Sequence, residues 1–195
     1  MKRLFFGIEI PEAQKRYLQE VVREGRKRLR GVKWVEPECM HVTLKFLGNT
    51  PDALLADVVS AGRWASAGVG PMRLELGSVG AFPAPSKPRI VWVGLDGEKS
   101  RLGQLAEALE GHLEALGFEP EQRPYRAHVT VGRSSEKNSE SALSALVSKV
   151  RCDSGCEFTV ERFVLFSSQL TPTGPIYTPL AYIPLGNSES EATPE

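Results

Sequence analysis

The chain has 195 residues, 41% hydrophobic and 25% charged, which is enough for one domain with its own core and unlike a disordered or fibrous composition. Its 24 basic and 24 acidic residues cancel, excluding a protein that coats nucleic acid through many phosphate contacts while leaving room for one anionic pocket. The apolar run after Lys2 and Arg3 is broken at Glu9 and Pro11, too short for a signal peptide, and no stretch approaches the ~20 apolar residues of a membrane span. Cys39, Cys152 and Cys156 make no disulfide framework and suit a reducing compartment, so a cytoplasmic protein, most simply a monomer, is expected.

Residues 4–10 are rich in β-formers and read as a buried strand. Pro11 stands at a helix start, and Ala13, Tyr17, Leu18, Val21 and Val22 follow at helical spacing. The opposite face, carrying Lys15, Arg16, Arg23, Arg26, Lys27 and Arg28, is basic and solvated, and the helix is expected to run to Gly31. A short strand over 33–35 and a clear one over 41–47 come next. Thr50-Pro51-Asp52 reads as the start of a second helix with Leu54, Leu55, Val58 and Val59 inward. Strands are expected over 72–82 and 89–95, joined by a rigid proline-rich loop over 83–88. Ser100 reads as the cap of a third helix, with Leu102, Leu105, Ala106, Leu109, Leu113 and Leu116 inward and Gly117 as its stop. A strand over 127–131 and a polar loop over 134–139 precede a fourth helix built on Leu143, Leu146, Val147 and Val150. Strands over 158–166 and 176–185 close an α+β or mixed α/β domain spanning 1–186, and 187–195 is a polar tail expected to be disordered.

The chemistry-bearing feature is a repeated tetrapeptide. His41-Val42-Thr43-Leu44 and His128-Val129-Thr130-Val131 use two of the three histidines in the chain. Side chains alternate along a strand, so each copy buries its aliphatic residues and presents one imidazole and one hydroxyl on the other face. Imidazole titrates near neutrality, so at one pH one copy can accept a proton from a nucleophile while the other gives one to a leaving oxygen. Displacement at phosphorus wants those two groups on opposite sides of the phosphorus atom, and two motifs facing across a cleft supply that. The hydroxyls of Thr43 and Thr130 can hold the non-bridging phosphoryl oxygens. Lys45, two residues past Thr43, stays on the histidine face by alternation, and Arg133 lies just past the second motif; either can neutralise phosphate. Arg123 and Arg126 can reach a nucleic-acid backbone, and Phe46 and Tyr125 can stack on a base, although strict alternation puts Phe46 on the buried side.

His112 lies beside the leucine stripe of the third helix and reads as a surface residue. The cysteines have no ligand partners at metal-binding spacing, and there is no Gly-rich phosphate loop and no local nucleophile signature. No metal or cofactor is expected.

His41-Val42-Thr43-Leu44-Lys45-Phe46-Leu47-Gly48 and His128-Val129-Thr130-Val131-Gly132-Arg133 resemble the paired signatures of the 2H phosphoesterase superfamily. Within it the chain is most similar to the bacterial and archaeal RNA 2′,3′-cyclic phosphodiesterases, historically called 2′-5′ RNA ligases. The likeness includes Arg3-Leu4-Phe5-Phe6-Gly7-Ile8-Glu9, Gly80-Ala81-Phe82-Pro83, Val91-Trp92-Val93-Gly94-Leu95, Phe163-Val164-Leu165 and Ser168-Gln169-Leu170-Thr171. One departure is Ala127, where many relatives carry proline. The resemblance implies a bilobed α+β fold with two antiparallel sheets about a pseudo-two-fold axis and a cleft between them. It implies metal-independent hydrolysis of terminal 2′,3′-cyclic phosphates of RNA, or of small cyclic nucleotides, to 2′-phosphates. It also implies that His41 gives and His128 takes the proton; the residues alone leave those directions open. Two alternatives stand beside this reading: 2′-5′ ligation as the main activity, and a non-catalytic RNA-end binding module.

Overall fold

The computed structural model describes residues 1–84, 88–135, 140–150, 155–172 and 174–186. The elements run β1 (Lys2–Glu9), α1 (Glu12–Arg28), β2 (Val32–Trp34), β3 (His41–Thr50), α2 (Leu55–Ser66), β4 (Met72–Phe82), β5 (Ile90–Gly97), α3 (Lys99–Glu114), β6 (His128–Ser134), α4 (Glu140–Lys149), β7 (Glu157–Val160), β8 (Arg162–Leu170) and β9 (Pro175–Pro184). The strands form one antiparallel sheet in the order β7-β4-β5-β6-β3-β1-β8-β9, with β2 beside β6.

That sheet is nearly cut at its centre. β3 and β6 share one ladder pair, Val42 with Val129. The two expected sheets are therefore two halves of a continuous one, β7-β4-β5-β6 and β3-β1-β8-β9, related by an approximate two-fold axis through that pair. β4 follows α2 in the chain but pairs with β5, and β8, with β9 beyond it, pairs with β1, so each half includes strands from the other part of the chain. α1 packs with α4 over the β4-β5-β6 half, and α2 with α3 over the other. Val42, Val93, Val129, Leu105, Leu109 and Phe163 are fully buried in the core these layers enclose.

The expected single strand over 158–166 is two strands. β7 pairs with β4 and β8 with β1, in opposite halves, with only Glu161 between them. Two Cα steps span under about 8 Å, so β7, the outer strand of one half, leads directly into β8 of the other and the sheet curls back on itself. Side-chain caps also differ from expectation. Thr50 ends β3 and its hydroxyl donates to the Gly48 carbonyl at 3.3 Å, while a 3₁₀ turn over Asp52–Leu54 leads into α2. α3 begins at Lys99, so Ser100 lies inside it rather than capping it. Gly117 does stop α3: at φ 86° it lets the Phe118 amide reach back to the Leu113 carbonyl at 3.1 Å. α1 ends at Arg28, short of Gly31. Cys39 is free, but Cys156 is disulfide-bonded, which the sequence did not anticipate. No described helix is long and apolar enough to cross a membrane. The tail over 187–195 lies outside the described residues, as do parts of the 83–88 and 134–139 loops.

Candidate active site

The junction of the two halves puts both motifs together. Val42 and Val129 are paired and point into the core, so His41, Thr43, His128 and Thr130 point to the other face. Counting outward from that antiparallel pair sets His41 opposite Thr130 and Thr43 opposite His128. In a regular ladder that register sets the four side chains at the corners of a two-fold rectangle with the imidazoles on a diagonal, on the order of 7–8 Å apart. All four line one open groove with Arg133 and Arg3.

Each imidazole is held by a carbonyl two residues back. His41 Nδ1 lies 2.8 Å from the Cys39 carbonyl, and His128 Nδ1 lies 2.6 Å from that of Arg126. Nδ1 must carry the proton to donate there, which makes Nε2 of each neutral ring an acceptor on the groove side. Thr43 Oγ1 sits 3.1 Å from His41 Nε2. Burial pushes both histidines below the ordinary imidazole value, against the backbone bonds, which raise them. The Arg133 charge lowers both further, and a charge on His128 also disfavours one on His41, so the two rings sense each other. Gly7 makes room for the His41 ring, because a Cβ there would meet His41 Cδ2 at 3.3 Å and the Val42 carbonyl at 3.0 Å.

Both motif strands carry a bulge at the same place. Phe6 pairs with Lys45 but Gly7 with Thr43, so Leu44 is inserted; Val91 pairs with Gly132 but Trp92 with Thr130, so Val131 is inserted. The inserted residue and the next both turn inward, and the one after turns out. This corrects two expectations. Lys45 is off the histidine face, 7% exposed, and bonds Glu110 at 2.8 Å and the Glu119 carbonyl at 2.7 Å. Phe46 is not in the core but 57% exposed on the groove side, with its ring 5.6 Å from that of Phe5. Arg133, the counterpart of Phe46 on β6, is exposed on the histidine face as expected. Gly132, the counterpart of Lys45, lacks a side chain because the Val32 and Trp34 side chains fill that space.

Tyr125 is half-buried in the groove wall. It is packed against the core, and its hydroxyl donates to the Thr43 carbonyl at 3.2 Å; burial pushes that hydroxyl up. Arg126 supplies the carbonyl that holds His128, and its side chain lies exposed along the groove with that of Arg123. His112 is a surface residue, with its ring 5.9 Å from Trp64. Sequence reasoning missed the aromatic walls. Phe5 and Tyr177 flank His41 at 4.8 and 5.2 Å, and Phe82 and Trp92 flank His128 at 5.1 and 6.2 Å. Their signal was positional: Phe5 and Trp92 sit on strands that pair with a motif strand, Phe82 one strand further out and Tyr177 two. Among the described residues no group of three or more His, Cys, Asp or Glu side chains converges.

A family model described as LigT like phosphoesterase matches the chain twice, over residues 8–92 and 93–177, one copy per motif. The RNA 2′,3′-cyclic phosphodiesterase of Archaeoglobus fulgidus is 37% identical over 178 residues, covering 91% of this chain and 97% of that one. The protein of the same name from Thermus thermophilus is 34% identical over 184 residues, covering 91% and 87%. Among solved structures, TT0787 of Thermus thermophilus superposes with a TM-score of 0.78 at 30% identity, covering 95% of this chain and 100% of that one. E. coli LigT complexed with 3′-AMP superposes with a TM-score of 0.74 at 23% identity, covering 95% and 99%, a likeness of fold.

Proposed function

Because the chain belongs to the LigT-like phosphoesterase family, we propose that it hydrolyses the 2′,3′-cyclic phosphate ends of RNA to 2′-phosphates by two-histidine acid–base catalysis without a metal. The observation that carries this reading is the rectangle of His41, Thr43, His128 and Thr130 across the Val42–Val129 pair. A phosphorus atom centred on it has one imidazole on each side. His128 takes a proton from the attacking water as the new P–O bond forms, and His41 gives one to the ribose O3′ as the P–O3′ bond breaks. The product is a 2′-phosphate beside a 3′-hydroxyl, and the proton count balances. Thr43 and Thr130 donate to the non-bridging oxygens, and Arg133 neutralises their charge.

The resting site suits both roles. With Nδ1 tied to a carbonyl, each ring presents Nε2 to the phosphate, as acceptor when neutral and donor when protonated. The entering anion opposes the effect of burial and favours one imidazolium. Residues 1–186 act as one unit, since each repeat supplies only one of the two imidazoles.

The test is turnover of a 2′,3′-cyclic mononucleotide and a cyclic-ended RNA with EDTA present. His41→Ala and His128→Ala should each lose roughly 10²–10⁴-fold in kcat, and chelation should cost nothing. Wild-type turnover in either variant would overturn the assignment.

A further inference from the structure

The two ends of the two-fold site hold their cations differently. On β2, Lys33 stands directly opposite Arg133 of β6. Trp34 and Val32 turn to the Gly132 side, toward α1, so alternation sends Lys33 to the histidine face beside Arg133. Like charges directly opposite on a sheet destabilise it. Arg89 completes the group: its carbonyl accepts from the Ser134 amide at 2.7 Å and it lines the same groove. Among the described residues none of the three cations has a carboxylate within ion-pair distance, and Glu36, the acid nearest β2 that lines the groove, pairs with none of them.

The equivalent place at the other end differs. Beside β3, where β2 would lie by symmetry, runs the segment that includes Glu119 and Tyr125, tied down by Lys45 and Thr43. Two of the cations there are matched, Lys45 with Glu110 and Arg123 with Glu121, while Arg126 and, on β1, Arg3 line the groove apart from one another. Phe46 takes the place of Arg133. A polyanion held at its end by the histidines therefore meets two adjacent cations, Lys33 beside Arg133, on the β2 side.

Building on the proposed activity, we propose that Lys33 and Arg89 form a subsite for the phosphodiester on the 5′ side of the cyclic end, so that the RNA strand leaves the histidines across β6 onto β2. The protein would then favour a polymer end over a cyclic mononucleotide.

The experiment compares wild type with Lys33→Ala/Arg89→Ala on a short cyclic-ended oligoribonucleotide and on a 2′,3′-cyclic mononucleotide. On the oligonucleotide kcat/KM should fall about tenfold, and the slope of log(kcat/KM) against log[salt] should shrink by about 1.4, at about 0.7 per single-strand phosphate contact. Mononucleotide turnover should stay within about twofold of wild type, and Lys33→Arg in place of Lys33→Ala should restore its share. Equal loss on both substrates, or loss on neither, overturns the subsite. If wild type hydrolyses neither substrate, the proposed activity fails, and the subsite is judged by fluorescence anisotropy with a 3′-phosphorylated oligonucleotide. Binding there should weaken in the double variant, and unchanged affinity would refute the subsite on its own.

Discussion

His41 and His128 share more than a motif: each is oriented by the carbonyl two residues before it, and each has burial working against its charged form. In the free enzyme both therefore titrate below the ordinary imidazole value near 6.5. The profile of kcat/KM against pH should be a bell with its centre below that value, whereas kcat, which reports the complex, should move up because bound phosphate stabilises an imidazolium. Identical centres for the two profiles would contradict this. The motif residues were legible because His and Thr two apart on a strand must share a face. Their carbonyl partners, Cys39 and Arg126, were not, because backbone groups leave no mark in residue identity.

At the scale of elements, one inserted residue per strand decides which side chains meet the substrate. Strict alternation put Lys45 in the groove and Phe46 in the core, and the bulge at Leu44 exchanges them. Period-two patterning carries no sign of such an insertion, so the exchange could not be read from residue types. The break at Glu161 was hidden for a similar reason, since no Gly or Pro marks it. Lys45→Ala should lower stability by about 1–3 kcal/mol through the unpaired Glu110 carboxylate, seen in the denaturation midpoint, while KM for a cyclic mononucleotide stays near wild type. A large rise in KM at unchanged stability would mean that Lys45 contacts substrate directly. Tyr125→Phe tests the brace between the halves: it removes the bond to the Thr43 carbonyl beside His41. It should cost several-fold in kcat with little change in KM, and a loss confined to KM would argue for direct substrate contact instead.

Over the whole molecule, two repeats each supply one imidazole, and the two halves of the sheet share one ladder pair at the centre. The α+β class and the doubling were legible from the order of elements and the repeated motif. The strand exchange between halves was not, because pairings between distant segments carry no local signal. Stability should follow the buried histidines. Their folded values lie below the unfolded one, so the unfolded chain binds more protons as pH drops through 6.5, and stability present above that pH is lost below it. Chemical denaturation at pH 5 and pH 7.5 should show the difference, and added phosphate should reduce it; equal stability at both would refute the coupling.

The most direct measurement is an NMR titration of the His41 and His128 imidazoles with and without a single bound inorganic phosphate. One anion lying between the rings should raise the titration of both, and His128→Ala should raise that of His41 in the free protein by removing a neighbouring charge. A phosphate that moves only one ring, or neither, would mean that the two imidazoles do not act on the same phosphorus atom.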